Sequence, residues 1–224
     1  MVGEPDGGRN DQGTAEAAVK QSNARLVWIT PDAEAVILYI ARVSSDQENT
    51  DTNLIKFLVR QKHWSPFDMA NMCVEIETSR AIATQFLRHG SFKFQEFSQR
   101  YASPKDAIRY LGRRQADSNR QSSIDNLADN EQQWFIDAQE VVIQRSFLIY
   151  REALKRGIAR ESARFLLPLS TQTKLYMNGT IRSWIHYLAL RTTEDTQTEH
   201  RSLAVMVRTI FQDNLPVIAE ALEL

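Results

Sequence analysis

Residues 78–101 read TSRAIATQFLRHGSFKFQEFSQRY, a helical pattern that runs directly into a mixture of charged, amide and aromatic side chains. Ser79 is a suitable N-cap for this helix, and Ile82 and Phe86 mark its apolar stripe. Gly90 is predicted to lie at the helix end, because glycine tolerates the backbone conformations that close a helix. The pattern therefore predicts a capped helix followed directly by a polar segment.

The run from Arg88 to Tyr101 is unusual because polar groups and aromatic rings occur together in it, directly after a helix. Gln85 and Arg88, three residues apart, are predicted to share a second face of the helix. The run supplies guanidinium groups for phosphate, amides and hydroxyls for a base or ribose, and flat rings for stacking. From composition alone, a plain surface loop is an equally good interpretation.

Outward from this stretch, periodicity predicts alternating helices and extended segments. Strand patterns cover residues 25–30, 72–77 and 171–179. One helical pattern starts at Asp32, and another starts at an N-cap that is Thr50, Asp51 or Thr52. Further helical patterns cover residues 131–156, 160–168, 180–192 and 196–214. The 131–156 helix is predicted to be the longest, closed by Gly157. The polar stretch 103–130 has no clear period and is predicted to be a surface loop or lid.

The strand pattern at Met72–Glu77 alternates apolar residues with Cys73, Glu75 and Glu77, so both glutamates are predicted to face water. Cys73 is the one cysteine of the chain. It excludes an intramolecular disulfide framework and a cysteine-rich zinc site, and it fits a reducing compartment. Its mid-strand position, without a neighbouring base, argues against a cysteine nucleophile.

Composition limits the classes of partner. Lys and Arg total 27 against 28 Asp and Glu, a net charge of -1, which gives no general attraction to nucleic acid or to a membrane surface. Residues 1–23 are polar and glycine-rich and are predicted to form a disordered tail before a single domain at 24–224. No apolar stretch fits a membrane span or a secretory signal, so a cytoplasmic location is expected.

Two arginines outside the quoted run are also candidates for a binding site. Arg191 lies on the helical stripe of Trp184, Tyr187 and Leu188, so its guanidinium is predicted to face the apolar side of that helix, and Arg164 stands beside apolar residues. A buried guanidinium needs a partner, which is either an internal carboxylate or an anionic ligand. The four histidines show no metal-binding spacing, so no metal site is expected.

The stretch RHGSFKFQEFSQRY resembles the signature of flavin-dependent thymidylate synthases, in which an Arg-His-Arg triplet is followed, seven residues later, by a serine and then by Arg and Tyr. Four further stretches resemble the family in the same order along the chain: KHWSPFD from Lys62, TSRAIATQFLRH from Thr78, ESARFLLPLST from Glu161 and TIRSWIHYLALR from Thr180. The resemblance implies an α+β fold of long helices packed with a small antiparallel sheet. It also implies a homotetramer with shared active sites.

The resemblance further implies an activity and its residues. dUMP would be methylated with 5,10-methylenetetrahydrofolate as carbon donor and FAD, reduced by NADPH, as hydride source, without an enzyme nucleophile. Residues matched to dUMP are Gln85, Arg88, Glu96, Ser98, Arg100, Arg164 and Arg191. Residues matched to FAD are His63, Ser65, Asp68, Arg88, His89, Gln95, Glu96, Arg182 and His186. Arg191 and Ser98 are the predicted catalytic residues, Ser98 near the phosphate and Arg191 at the pyrimidine.

The chain departs from the family pattern at Gly90, where a second arginine is usual, and Lys93 is a candidate substitute for that charge. His186 and Thr180 stand where many relatives carry asparagine. Two alternatives to an active enzyme follow from these residues. One is a catalytically weak relative that binds FAD and dUMP, and the other is a single-stranded nucleic-acid binder that uses the arginines and aromatic rings.

Overall fold

The computed structural model describes residues 22–43, 52–117, 119 and 122–224. The predicted tail at residues 1–23 lies outside this part of the chain except for its last two residues, and the single-domain assignment stays a prediction. The helices are α1 (Ala33–Ala41), α2 (Asn53–Arg60), α3 (Arg80–Phe86), α4 (Asp129–Lys155), α5 (Arg160–Ala163), α6 (Ile181–Arg191), α7 (Thr198–Asn214) and α8 (Pro216–Ala221). The strands are β1 (Asn23–Ile29), β2 (Asn71–Ser79), β3 (Lys93–Glu96), β4 (Arg114–Gln115), β5 (Ser123–Ile124) and β6 (Gln172–Thr180).

Four strands form one antiparallel sheet in the order β1-β2-β6-β3. Strand β2 lies inside the sheet and pairs with β6 from Asn71 opposite Thr180 to Ser79 opposite Gln172. The alternation at 72–77 and the extended segment at 171–179 are thus confirmed as neighbouring strands. Edge strand β3 falls within the polar run 88–101, where the sequence pattern predicted no strand. The expected α+β class is confirmed.

One apolar core joins this sheet to helices α3, α6 and α7. Val74 of β2, Leu203 and Phe211 of α7 and Trp184 of α6 are all fully buried in it. The Trp184 Nε1–H also donates to the carbonyl oxygen of Met72 at 2.9 Å. Burying one such apolar side chain contributes about 1.5–3 kcal/mol, so the apolar stripe of α6 determines which way this helix faces.

The prediction that both β2 glutamates face water is wrong for Glu75, which is only 3% exposed. Its carboxylate accepts hydrogen bonds from Arg25 Nε at 2.7 Å and pairs with Lys174 Nζ at 3.1 Å. The hydrogen bond from Arg25 is the main reason that the pKa of Glu75 falls to about 2. Long cationic side chains from β1 and β6 cover the carboxylate, and a single strand pattern cannot reveal such cross-strand partners.

The predicted N-cap of α3 is confirmed, but the predicted end of this helix is not. Ser79 Oγ accepts from the Ile82 N–H at 3.4 Å, which confirms the predicted N-cap. Helix α3 ends at Phe86, four residues before Gly90, and Gly90 does not adopt a positive φ. The chain turns early because it must enter β3 beside β6, so Arg88 lies in a turn rather than on the Gln85 face. At α2, Thr52 occupies the N-cap position but its side chain makes no capping hydrogen bond, and Thr50 and Asp51 lie outside the described residues.

Helix α4 is confirmed as the longest helix and ends before Gly157, whose φ is 79°. Part of the predicted 103–130 surface loop packs against the rest of the protein. Ala107 and Ile108 are buried, and Ala107 forms an isolated antiparallel β-bridge with Thr171. Strands β4 and β5 pair as a short hairpin. Within the described residues, no helix is long and apolar enough to cross a membrane.

Candidate nucleotide and flavin site

The first candidate cluster lies where the turn after α3 meets α6. Here the Arg191 Nε–H donates to Nε2 of His89 at 3.0 Å. Because burial and the charge of Arg191 both lower the pKa of His89, this imidazole is a neutral acceptor. The structure thus confirms that the Arg191 side chain turns toward the apolar side of α6, with its Nε–H already used.

Arg191 makes no ion pair with any carboxylate among the described residues. The internal-carboxylate alternative therefore fails for this arginine in the described part of the chain. The other guanidinium nitrogens of Arg191 are available to an acceptor that carries negative charge. Arg88 in the nearby turn is exposed and, within the same described ranges, also lacks an ion-pair partner.

Gln85 of α3 joins this region to α7 through His200, a residue that sequence reasoning did not select. Nδ1 of His200 lies 3.1 Å from Gln85 Oε1, and its Nε2 lies 3.1 Å from the Tyr187 hydroxyl. His200 is fully buried and occupies the core-facing side of α7 with Leu203. A histidine on an apolar helix face was the available signal, although such a residue usually has a structural role.

Ser98, Arg100 and Arg164 form a second cluster, in which both arginines contact Glu161 of α5 and Ser98 is bonded to Arg100. Arg100 pairs with the Glu161 carboxylate at 3.3 Å, and the Arg164 Nε–H donates to the Glu161 carbonyl oxygen at 3.1 Å. Ser98 Oγ accepts from the Arg100 backbone N–H at 3.3 Å. All three residues were matched to dUMP, Ser98 and Arg100 of them near its phosphate, and together they can offer guanidinium and hydroxyl donors to one anion.

Glu96 and Gln95 are separated by the pleat of β3. Successive side chains in a strand point to opposite faces of the sheet. Glu96 is half-buried and accepts from Arg80 and, at 2.9 Å, from Thr173 Oγ1, whereas Gln95 is exposed. Within one chain these two residues cannot contact the same side of one ligand.

The remaining flavin candidates lie around the start of α6. Asp68 accepts from Thr180 Oγ1 and from Arg182, both at 3.0 Å. The His186 ring packs edge-on against Trp64 with centroids 5.3 Å apart. His63 and Ser65 are exposed on the segment that precedes Asp68. These groups are carried by different elements from the Arg100 cluster, and no single element links all the candidates.

Two clefts among the described residues lie away from Arg88, Arg100 and Arg191. One cleft of about 260 Å³ is lined by Ser103, Lys105 and Lys174, and another of about 370 Å³ lies between Tyr110, Arg113 and Met206. Neither of these two clefts is lined by Arg88, Arg100 or Arg191.

Comparisons with known proteins agree on one family. Residues 25–217 match the family model described as thymidylate synthase complementing protein. The chain is 50% identical over 192 residues to a flavin-dependent thymidylate synthase of Synechocystis sp., covering 85% of this chain and 89% of the relative. It is 48% identical to a probable flavin-dependent thymidylate synthase of Paramecium bursaria Chlorella virus 1, covering 90% and 99% of the two chains.

A solved structure shares the fold. The UMP/dUMP methylase PolB from Streptomyces cacaoi, solved with bound 5-Br dUMP, aligns with a TM-score of 0.80 at 26% identity. The alignment covers 91% of this chain and 95% of that one.

Proposed function

The chain belongs to the family of flavin-dependent thymidylate synthases, and from that membership we propose how it methylates dUMP. The carbon donor is 5,10-methylenetetrahydrofolate, and the hydride source is FAD reduced by NADPH. The observation that carries the proposal is Arg191, a half-buried guanidinium bonded to neutral His89 and without a carboxylate partner among the described residues.

Arg191 acts on the pyrimidine. Uracil C5 is a poor nucleophile, so its attack on a folate-borne methylene requires electron density from the rest of the ring. A guanidinium beside a pyrimidine carbonyl and N3 stabilises the negative charge that develops there. His89 holds the Arg191 Nε–H and leaves the terminal nitrogens for the substrate.

Arg100, Arg164 and Ser98 anchor the phosphate. Arg100 must exchange the Glu161 carboxylate for the phosphate, and this exchange is easy because both partners of that pair are more than half exposed, at 54% and 56%. Exposed ion pairs of this kind contribute about 0–1 kcal/mol. A phosphate can accept hydrogen bonds from both guanidinium groups and from the Ser98 hydroxyl, so it binds Arg100 more strongly than the single Glu161 carboxylate does.

The residues also fit an anionic flavin cofactor. Arg88 and Arg191 are cations without ion-pair partners among the described residues, and a Cβ placed on Gly90, two residues after Arg88, meets no atom within 4 Å. The turn therefore leaves open space next to Arg88, where an anionic group can approach. We assign Arg88, His89, Gln95 and Glu96, with the group around Asp68 (His63, Ser65, Asp68, Arg182 and His186), to FAD. When bound, FAD supplies the hydride, and the protein supplies orientation and charge.

No enzyme thiolate takes part. Cys73 is buried at 7% exposure in the middle of β2, and burial raises the pKa of its thiol. A raised pKa keeps the thiol protonated and unreactive. Ser98 serves as a hydrogen-bonding residue at the phosphate, because its hydroxyl is engaged with the Arg100 backbone and not with a histidine base.

A homotetramer completes the site. Helix α4 exposes Trp134 at 68%, Val141 at 67%, Val142 at 53% and Leu148 at 53%. Large apolar side chains along one exposed helix are typical of a surface that another subunit covers.

The decisive experiment measures tritium release from dUMP labelled at C5, with the folate, NADPH and the flavin-loaded protein. Release that needs all three supports the proposal, and absorbance near the flavin bands reports cofactor content. A protein that binds FAD and dUMP but releases no tritium would be the catalytically weak relative. Binding to an oligonucleotide at physiological salt would favour the nucleic-acid alternative, which the net charge of -1 argues against.

A further inference from the structure

We infer that His200 is a positioning residue that fixes the amide of Gln85, so that Gln85 presents only an N–H donor to the nucleotide. The inference rests on the proposed function in one respect, namely that Gln85 contacts dUMP. His200 itself does not touch the substrate in this arrangement. It acts through Gln85 from within the core.

Tyr187, His200, Gln85, Gln197 and Glu199 form a chain of hydrogen bonds in which each residue donates to the next. Gln85 Nε2 donates to Gln197 Oε1 at 2.6 Å, and Gln197 Nε2 donates to Glu199 Oε2 at 2.8 Å. Gln85 Oε1 must then accept from Nδ1 of His200 at 3.1 Å. A neutral imidazole carries one N–H, so its Nε2 accepts from the Tyr187 hydroxyl.

The surroundings keep His200 neutral. The ring is fully buried, and its centroid lies 4.2 Å from that of Phe86. Burial, the charge of Arg191 and His89 together lower the pKa of His200 to about 3. A charged imidazole would donate from both nitrogens, which would force the Tyr187 hydroxyl to turn away. At neutral pH the Nδ1–H tautomer is therefore the stable form.

The consequence concerns what Gln85 can recognise. Its carbonyl oxygen is used by His200 and one amide hydrogen by Gln197, which leaves one amide hydrogen. Without His200, only the exposed hydrogen bond to Gln197 would oppose a half-turn of the amide that presents its oxygen instead. With His200 in place, Gln85 selects an acceptor oxygen of the nucleotide, on the base or on the sugar, and rejects a donor there.

Histidine substitutions separate positioning from simple packing. In His200→Asn, the side-chain amide nitrogen takes the place of Nδ1 and can still donate to Gln85. In His200→Gln, the amide nitrogen lies nearer the position of Nε2, away from Gln85. His200→Leu keeps the side-chain volume without any hydrogen-bonding group. We expect KM for dUMP to rise about tenfold in His200→Leu, the effect of one lost oriented hydrogen bond. We expect His200→Asn to recover most of this loss, and His200→Gln to recover little. Flavin absorbance should be unchanged, and kcat should change far less than KM.

Binding of 2′,3′-dideoxy-UMP distinguishes the two sources of the acceptor. If the His200→Leu defect persists with this probe, Gln85 donates to the base. If the defect disappears, the partner is the missing sugar hydroxyl. Either result supports the inference, whereas equal dUMP affinity in wild type and folded His200→Leu overturns it. A similar defect in all three variants also overturns it, because packing alone would then explain the effect.

A second measurement does not depend on substrate. In protein labelled with 15N at histidine, we expect the His200 ring shifts of the neutral Nδ1–H tautomer at pH 5 and at pH 8. An Nε2–H tautomer or a protonated ring at pH 5 would overturn the inference even if dUMP is the substrate. If the wild-type protein releases no tritium while His200 is the expected tautomer, the proposed function fails and the assignment of the His200 tautomer stands.

Discussion

Arg191 donates from Nε to His89 Nε2 at 3.0 Å, which ties the last turn of α6 to the turn after α3. The bond joins two residues far apart in sequence and leaves the charged end of the guanidinium free of any carboxylate in the described part of the chain. The hydrogen bond to His89 fixes the position of this positive charge, and the guanidinium contributes little to the packing of the core. Its removal should therefore affect chemistry more than folding.

Arg191→Ala should leave a folded, flavin-containing protein that has lost turnover. We expect tritium release to fall about 100-fold or more, the usual effect of removing one preorganised group that stabilises developing charge. Arg208→Ala on α7 is the matched control, because this arginine likewise lacks an ion-pair partner among the described residues but belongs to neither cluster. Full activity in folded Arg191→Ala would remove its proposed electrostatic role.

Arg100 and Glu161 should change dUMP affinity in opposite directions. Arg100→Ala loses a charge-assisted bond to the phosphate and should weaken dUMP binding by more than tenfold. Glu161→Gln removes the carboxylate that competes for Arg100 and should strengthen binding by up to about fivefold, since exposed pairs contribute about 0–1 kcal/mol. Calorimetric titration with dUMP measures both effects. Arg156→Ala, which breaks the Arg156–Glu152 pair at the C-terminal end of α4, should leave affinity unchanged.

Gly90→Arg tests the main departure from the family pattern. The new side chain has room, because a Cβ at Gly90 meets nothing within 4 Å. We expect an unchanged melting temperature and a change in FAD content and tritium release of no more than about fivefold, the effect of one exposed cation. A much larger gain of activity would mean that the natural chain is impaired at this position. Lys93→Ala in parallel tests whether Lys93 substitutes for that cation.

Stability should fall as the pH drops below about 6.5. The folded-state pKa of His200 is lowered from 6.5 to about 3, and that of His89 is also lowered, so the unfolded chain binds protons that the folded chain rejects. The stability that His200 contributes is fully present above the unfolded pKa and is lost as the pH falls toward the folded value.

For His200 alone, the free energy of unfolding should be about 2 kcal/mol lower at pH 5 than at pH 8. Urea unfolding of wild type and His200→Asn across this range measures the difference, because asparagine does not titrate. The variant should lose less stability on acidification. Parallel curves for the two proteins would show that His200 has an ordinary pKa. Glu75, with its pKa lowered to about 2, adds a further loss only between about pH 4.5 and pH 2.

Helix α4 should control assembly. Val141→Asp places a charge on a side chain that is 67% exposed in the single chain. If a second subunit covers this surface, burial of an unpaired charge should dissociate the oligomer and lower tritium release by more than tenfold. Light scattering after size-exclusion chromatography measures the mass. Gln133→Glu on the same helix, whose side chain contacts Asp137, is the control, and an unchanged oligomer in Val141→Asp would refute this interface.

Local sequence patterns determined the parts of the molecule that depend on one element at a time. The apolar stripe of α6 correctly oriented Arg191, because Trp184 and Leu188 have to be buried with it. Ser79 was recognisable as a cap because its partner, Ile82, lies three residues away. The run 88–101 was a candidate binding segment because guanidinium groups, amides and aromatic rings lie close together in it, although composition alone favoured a plain surface loop equally.

Tertiary structure alone decided the pairings between distant segments. Glu75 looks like a surface residue within β2, yet Arg25 and Lys174 from the two neighbouring strands cover it. Likewise, only the packing of α7 against α3 brings His200 to Gln85, and only pairing with β6 turns residues 93–96 into a strand. A sequence pattern records which face of an element is buried, but the identity of the group that meets this face depends on contacts over long sequence separations.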